Sequence, residues 1–274
     1  AARFGDLARA GVNRVSLGLQ ALDDSALAFL GRAHSLSEGL LALDTAQATF
    51  TRVSFDLIYA RPGQSLTDWE AELRRALTFG TGHLSLYQLT IEPGTRFAAL
   101  AAKGALPQAD PDYAAELFEL TRAMTAEAGL PAYEVSNQAR LGEESRHNLT
   151  YWRYGDYVGV GPGSHGRRLA TASFRRRKPE NFLTAVSRNG HGIESEDALP
   201  PETRAAEALL MGLRLAEGVD LARLANVTGI DRSVNSEAVK RLSEHGLIGQ
   251  AGARLHVTSA GMLVLDRILG EIVA

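Results

Sequence analysis

The sequence predicts an α/β protein whose first half is a parallel sheet with crossover helices, followed by a small winged-helix-like α+β domain. Three observations carry this. Strand-like and helix-like segments alternate from Asn13 to Asn137, as βαβ units require. The strands read as nearly continuous apolar runs, two of them closing in Pro-Gly turns, the pattern of strands covered on both faces. From about Pro200 the rhythm changes to three helices and a hairpin. The alternation fits an open doubly wound sheet and a (β/α) barrel equally, and either places chemistry at the carboxyl ends of strands.

Ala1 to Ala10 predicts the end of an amphipathic helix stopped by Gly11. "NRVSLGLQ" (Asn13 to Gln20) is the first strand, and "DDSALAFLGR" a helix capped by Asp23 or Asp24. "SLSEGLLALDTAQATF" is a second helix, with Ser35 or Ser37 at its cap. "RVSFDLIYARPGQ" (Arg52 to Gln64) is a buried strand and turn, followed by the helix "SLTDWEAELRRALTFG". "HLSLYQLTIEPGT" repeats the strand-and-turn theme, "DPDYAAELFELTRAMTAEAG" is a long helix and "AYEVSN" a short strand. After Gly166, "RRLATASFRRRKPENF" reads as a basic connector. The helices "PETRAAEALLMGLRLAEG", "DLARLANVTG" and "NSEAVKRLSEHG", the hairpin "LIGQAGARLHVTSAG" and a last helix from about Met262 complete the chain.

Composition excludes more than it identifies. The 274 residues carry a net charge of −3, with 45% hydrophobic and 22% charged residues, ordinary values for a globular protein. No apolar run reaches the length of a membrane span, and no signal peptide is visible. There is no cysteine, so these residues form no disulfide, thiolate zinc site, cysteine nucleophile or thiolate-held iron–sulfur cluster. The winged-helix region from Ser195 on holds 11 acidic and 8 basic residues. That balance is wrong for reading DNA, and a packing or partner-docking role suits it better.

Two sets of residues stand out. Gln20, Asp56, Tyr87, Gln88 and Thr90 are polar positions at or near strand ends. A buried polar group costs about 1–3 kcal/mol unless it finds a partner. Asp56, among apolar neighbours, suits a ribose hydroxyl or an ion pair with Arg32, although such residues also serve simply to tie adjacent loops together. The second set is "RHNLTYWRYGDYVGVGPGSHG" (Arg146 to Gly166). His147 offers an imidazole of the kind that ligates haem iron. Tyr151 and Trp152 offer flat walls for a tetrapyrrole. Gly159, Gly161, Gly163 and Gly166 mark tight turns or a close approach of backbone. Pro162 breaks any dinucleotide fingerprint. By composition alone an isolated histidine is more often a hydrogen-bonded structural residue than an iron ligand, and the run "RRLATASFRRRK", which could offer cations to propionates or phosphates, is more often a solvated linker.

Taken together, "GVNRVSLGLQALDDSALAFLGRAHS", "VSFDLIYARPGQSLTDWEAEL", "HLSLYQLTIEPGT", "YEVSNQAR" and "SRHNLTYWRYGDYVGVGPGSHG" resemble the radical S-adenosylmethionine family of oxygen-independent coproporphyrinogen III oxidase-like proteins, within it the heme chaperone branch. The resemblance covers nearly the whole chain. It implies a partial TIM-like radical-SAM barrel with S-adenosylmethionine and a [4Fe-4S] cluster. Gln20, Arg32 and Asp56 match positions that contact S-adenosylmethionine, and Thr90 matches another where the family residue differs. The heme-linked motif HNxxYW is intact as His147, Asn148, Tyr151 and Trp152, with His147 the candidate iron ligand. The implied domains are a barrel portion with a heme-motif loop over 1–166, a basic connector over 167–199 and a winged-helix-like domain over 200–274.

The resemblance implies a cytoplasmic heme chaperone that binds heme and S-adenosylmethionine and delivers heme to proteins such as respiratory enzymes, meeting membranes only through a partner. The other activity it implies is oxidative decarboxylation of coproporphyrinogen III propionates. One departure is large: the family's Cys-x-x-x-Cys-x-x-Cys triad has no counterpart here. The expectation is a chain that begins partway through the barrel, leaving an open parallel edge and a strand, "RVSFDLIYA", as apolar as a fully enclosed one.

Overall fold

The computed structural model describes residues 2–106, 110–231 and 233–273. Ala1, in the expected first helix, lies outside them, as does Ala274 at the end of the last. The chain divides into two compact units, Ala1–Glu144 and Ser145–Ala274, so the division falls before the heme-motif segment and not after Gly166.

The first unit follows the predicted alternation. Helix α1 (Ala2–Arg9) leads to β1 (Arg14–Gln20), α2 (Asp24–Phe29), α3 (Leu36–Thr49), β2 (Arg52–Tyr59), α4 (Leu66–Leu77) and β3 (His83–Gln88). Then come α5 (Arg96–Ala102), α6 (Pro111–Glu127) and β4 (Asn137–Ala139). Local chemistry sets the helix starts. Asp23 caps α2, while Ser35 and Ser65 form reciprocal capping boxes with Glu38 and Asp68 at α3 and α4. The sheet order is β1-β2-β3-β4. The first three strands are parallel, and β4 runs antiparallel to β3. Among the described residues β1 pairs with β2 alone.

The two faces of this sheet differ in a way the apolar look of the strands concealed. Val53, Phe55, Leu57 and Tyr59 join Trp69, Leu73, Leu84, Leu86 and Leu117 in one core under the helices. Side chains alternate with a period of two, so Arg52, Ser54 and Asp56 of β2 and His83, Ser85 and Tyr87 of β3 take the opposite face. The strands are therefore not apolar on both sides: β2 is half core and half polar floor. Trp69 anchors the core. Its ring stacks on Tyr59 with centroids 4.8 Å apart, and its Nε1–H donates to Thr121 Oγ1 at 2.8 Å.

In the second unit, "RHNLTYW" is not a loop. It is helix α7 (Arg146–Trp152), whose Asn148 N–H donates to the Ser145 hydroxyl at 3.4 Å. The glycine-rich run begins only after this helix. The stretch expected as a basic connector is also structured. Strands β5 (His165–Arg168), β6 (Thr171–Arg175) and β7 (Ile193–Ala198) form an antiparallel sheet, with α8 (Pro179–Asn189) between the last two. The charge run misled because β6 is short and its partner strand is distant in sequence: Thr171 pairs with Ala198 and Phe174 with Ser195. Next come α9 (Pro201–Gly212), β8 (Val219–Asp220), α10 (Leu221–Thr228), α11 (Ser236–Glu244), β9 (Ile248–Ala251), β10 (Arg254–Val257), α12 (Ser259–Met262) and α13 (Leu265–Ile272). Three helices with a β8-β10-β9 sheet make the expected winged-helix arrangement.

Candidate functional site

Two groups of predicted site residues take definite form, one in each unit. In the first unit, β1 ends at Gln20, which is 6% exposed and holds a left-handed φ of 70°. Such a conformation costs a non-glycine residue on the order of 1–3 kcal/mol and persists only where the surroundings enforce it. The partners do so here. Arg32 Nη2 donates to Gln20 Oε1 at 2.6 Å, and Gln20 Nε2 donates to Asp56 Oδ2. The glutamine amide thus passes a hydrogen bond from guanidinium to carboxylate, which fixes its orientation. Burial raises the Asp56 pKa above the ordinary carboxylate value, against the pull of its hydrogen bonds, the Gln20 amide among them, and of Arg32.

Thr90 stands apart. It is exposed two residues beyond β3, and among the described residues no hydrogen bond ties it to Gln20, Arg32 or Asp56.

The strand register extends this group in a direction that sequence reasoning missed. Asp56 pairs with Ser85, and Ser85 pairs with Asn137. Ser85 Oγ donates to Asn137 Oδ1 at 2.5 Å, and Asn137 Nδ2 donates to the buried Glu134 carboxylate. Burial raises the Glu134 pKa. Tyr87 lies near both carboxylates: burial first, then the charges of Asp56 and Glu134, raise its phenol pKa. The available signal was the alternation of Asp56 with Phe55 and Leu57, one residue to either side, which places it on the face opposite the core.

Arg61 and Glu72 were also missed. Their nearly buried ion pair (2.6 Å) receives Gln64 Nε2 at 3.2 Å and the Leu22 N–H at 2.7 Å, pinning the chain after β1 to α4.

At the other end of the same polar face, buried His83 meets Tyr133 OH at 3.0 Å. Burial, with Arg14 and Arg52 nearby, pushes its imidazole pKa down to about 3.

In the second unit, the motif residues separate by helical geometry. His147 and Tyr151 are four apart on α7, hence on one face. Their ring centroids lie 4.7 Å apart at 81°. Tyr151 in turn meets Tyr157 edge-on, at 4.6 Å and 72°. His147 is exposed at the free end of this row. Trp152 points elsewhere, lining a pocket of about 100 Å³ together with Ala208, Leu215, Val219 and Leu224. Asn148 lies half-buried in the first turn. The glycines turn out to serve the backbone. Gly161 and Gly163 hold φ of 88° and 72°, and a Cβ on Gly159 would come within 2.3 Å of the His165 carbonyl oxygen.

The residues present fit two of the three groups that the resemblance implied. Gln20 at the end of β1, Arg32 after α2 and Asp56 within β2 combine an amide, a cation and a carboxylate, the donor and acceptor set that a ribose and an amino-acid tail require. His147 with Tyr151 offers an imidazole beside an aromatic wall, which suits a tetrapyrrole. The cluster does not fit these residues. The chain has no cysteine, and no group of three or more His, Asp or Glu among the described residues could hold a metal ion.

The HemN C-terminal domain family matches residues 199–264. The chain is 39% identical to the radical S-adenosyl methionine domain-containing protein 1, mitochondrial, of Bos taurus, over 97% of this chain and 63% of that protein. It is 32% identical to the heme chaperone HemW of Bacillus subtilis, over 96% of this chain and 70% of that one. The solved coproporphyrinogen III oxidase HemN of Escherichia coli superposes with a TM-score of 0.76 at 18% identity, covering 98% of this chain and 65% of that one. Its fold is therefore shared, and the α/β architecture is the partial TIM-like radical-SAM fold. The chain belongs to the radical S-adenosylmethionine family of HemN-like proteins that includes the HemW heme chaperones. It spans about two thirds of the length of these relatives. No helix among the described residues is long and apolar enough to cross a membrane.

Proposed function

We propose that this chain carries the heme-holding and S-adenosylmethionine-holding residues of a cytoplasmic heme chaperone, which passes heme to heme-accepting proteins such as respiratory enzymes. The observation that carries the reading is the exposed imidazole of His147 standing edge-on to Tyr151 at 4.7 Å. A bound heme supplies an iron centre that accepts an axial nitrogen ligand. His147 offers that nitrogen from a helix face open to solvent, and Tyr151 gives an apolar edge beside it. Val158 and Val160, 63% and 87% exposed, leave further apolar surface on the same segment. An exposed ligand suits a carrier better than a permanent holder, because the cargo can leave without the protein unfolding around it.

In the first unit, Asp56 would accept hydrogen bonds from ligand hydroxyls, and Arg32 would meet a ligand carboxylate, with Gln20 holding both in register. Thr90 would contribute only from outside this group, as an exposed residue two positions beyond β3. Asn148 and Trp152 would act from within the second unit, Trp152 by seating α7 against the pocket that it lines.

Hemin titration of the full chain tests the reading. The expected result is a Soret band that shifts and weakens in His147→Ala. Identical spectra for the two proteins would remove His147 as ligand. Decarboxylation of coproporphyrinogen III by this chain joined to the cysteine-bearing segment of a relative would replace the chaperone reading with the enzymatic one.

A further inference from the structure

We propose that Tyr157, backed by the buried Arg167, is a positioning residue for the His147 imidazole. Neither residue belongs to the HNxxYW motif, and the inference rests on the reading of His147 as the heme ligand. The difficulty it resolves is physical. An exposed histidine on the first turn of a seven-residue helix has little around it to choose one ring orientation. An axial ligand needs its nitrogen lone pair aimed in one direction.

The structure provides a column that sets this direction. Tyr151 is the contact of His147, and the outer face of a short helix would leave that ring mobile too. Tyr157 closes its far side, edge-on at 4.6 Å. Tyr157 is itself held by backbone. Its N–H donates to the Arg167 carbonyl at 2.8 Å, and its carbonyl accepts from the Arg167 N–H at 2.9 Å. The Arg167 guanidinium lies 5.7 Å from the Tyr157 ring centre and 3.4 Å from that of Tyr154.

Arg167 is 6% exposed. Its Nη2 donates to the Gly155 carbonyl at 3.0 Å, and Glu207 lies 3.9 Å from Nη1. Tyr154 donates its own hydroxyl to Glu207 at 2.6 Å. The arginine thus sits where no other ligand could claim it, anchored to α9 and stacked on two rings. Rigidity passes outward from Arg167 to Tyr157, to Tyr151 and to His147. Each ring contact is edge-to-face, the arrangement that aromatic quadrupoles favour.

The test reads the imidazole directly, before any heme is added. In the 274-residue chain with labelled histidine, the His147 ring protons should resonate upfield of free imidazole because of the Tyr151 ring. Tyr157→Phe should keep that shift, since the ring is retained. Tyr157→Leu should collapse it toward the free value. Unperturbed His147 shifts in the wild type, or shifts unchanged in Tyr157→Leu, would overturn the proposal. Hemin titration then extends the test. Tyr157→Leu should weaken binding roughly two- to tenfold, the range that one aromatic pair supports, and broaden the ligation spectrum, with Tyr157→Phe restoring both. If His147→Ala leaves the heme spectrum unchanged while the ring shifts behave as stated, the heme reading fails and the positioning of His147 stands.

Discussion

The Gln20–Arg32–Asp56 group and the His147–Tyr151 row solve opposite problems. The first is built into a sheet. Gln20 is buried and backbone-strained, and both polar atoms of its side chain are tied to a neighbour. The second stands on a short helix with its chemical group in solvent, supported by rings and not by hydrogen bonds. A buried polar group must be satisfied before any ligand arrives, so that site is preorganised at some expense in stability. An exposed site carries no such penalty, and pays instead in orientation, which must be supplied from behind. The lesson is that substitutions in the first unit should change folding and binding together, whereas those on the outer face of α7 should change binding alone.

The comparison breaks most easily at the core under the first site. Trp69→Ala should destabilise the first unit by about 3–5 kcal/mol, since it removes a fully buried ring, its stack on Tyr59 and its bond to Thr121. Denaturant unfolding followed by circular dichroism measures this. Glu72→Ala should cost a similar amount, on the order of 3–5 kcal/mol, because Arg61 would be left buried without its carboxylate and the Leu22 N–H without its acceptor. A loss below 1 kcal/mol in either variant would mean that the first unit is not the rigid half.

A third expectation concerns acid. The folded His83 pKa lies at about 3, below its ordinary value near 6.5. A depressed folded pKa means that the neutral form is the one the fold accepts. Its contribution to stability is therefore complete above pH 6.5 and is lost as pH falls from 6.5 toward 3. His83→Gln should flatten the stability profile in that window relative to wild type. Parallel profiles would show that His83 does not report on the fold.

Asp56→Asn sharpens the contrast inside the first site. The folded Asp56 pKa is raised, so its charged form is the one disfavoured by burial, and the stabilisation belongs to low pH and is lost as pH rises through the folded value. Neutralising the residue should raise stability at pH 7, since the burial cost of the charge is removed while an amide oxygen still accepts from Gln20. S-adenosylmethionine affinity, measured by calorimetry, should fall tenfold or more, because an amide replaces a charged acceptor. The smallest effect belongs to α7. His147→Ala should move stability by less than about 0.5 kcal/mol, as an exposed substitution does, while its heme spectrum changes. A large loss of stability there would erase the difference between the two regions.

Much of the first unit was legible in advance. The βαβ rhythm, a cap at Asp23 or Asp24 and at Ser35 or Ser37, and the placing of Gln20 at the end of β1 all follow from periodicity and turn chemistry, whereas Asp56 lies within β2 and not at its end. The helix at Arg146–Trp152 was hidden because glycines crowd the residues after it. The β5-β6-β7 sheet was hidden because a run of basic residues resembles a linker until its strand partner is known, and β6 pairs with β7 across the intervening α8. Glu134 and Arg167 had no local signal at all. Each is a charged residue that becomes informative only once its burial is known.

By itself, then, the amino-acid order determined the alternation of elements, the winged-helix ending, the absence of any thiolate and the candidate residues of both sites. These are local properties, set by spacing, by capping and by which side chains exist. Only the tertiary structure decided which candidates meet: that Arg32 reaches Asp56 through Gln20, that Thr90 stands aside, that Trp152 faces away from His147, and that Arg167 stands behind Tyr157. The physical reason is that a contact between distant residues depends on strand register and helix phase acting together, and a shift of one residue in either turns a side chain to the opposite face.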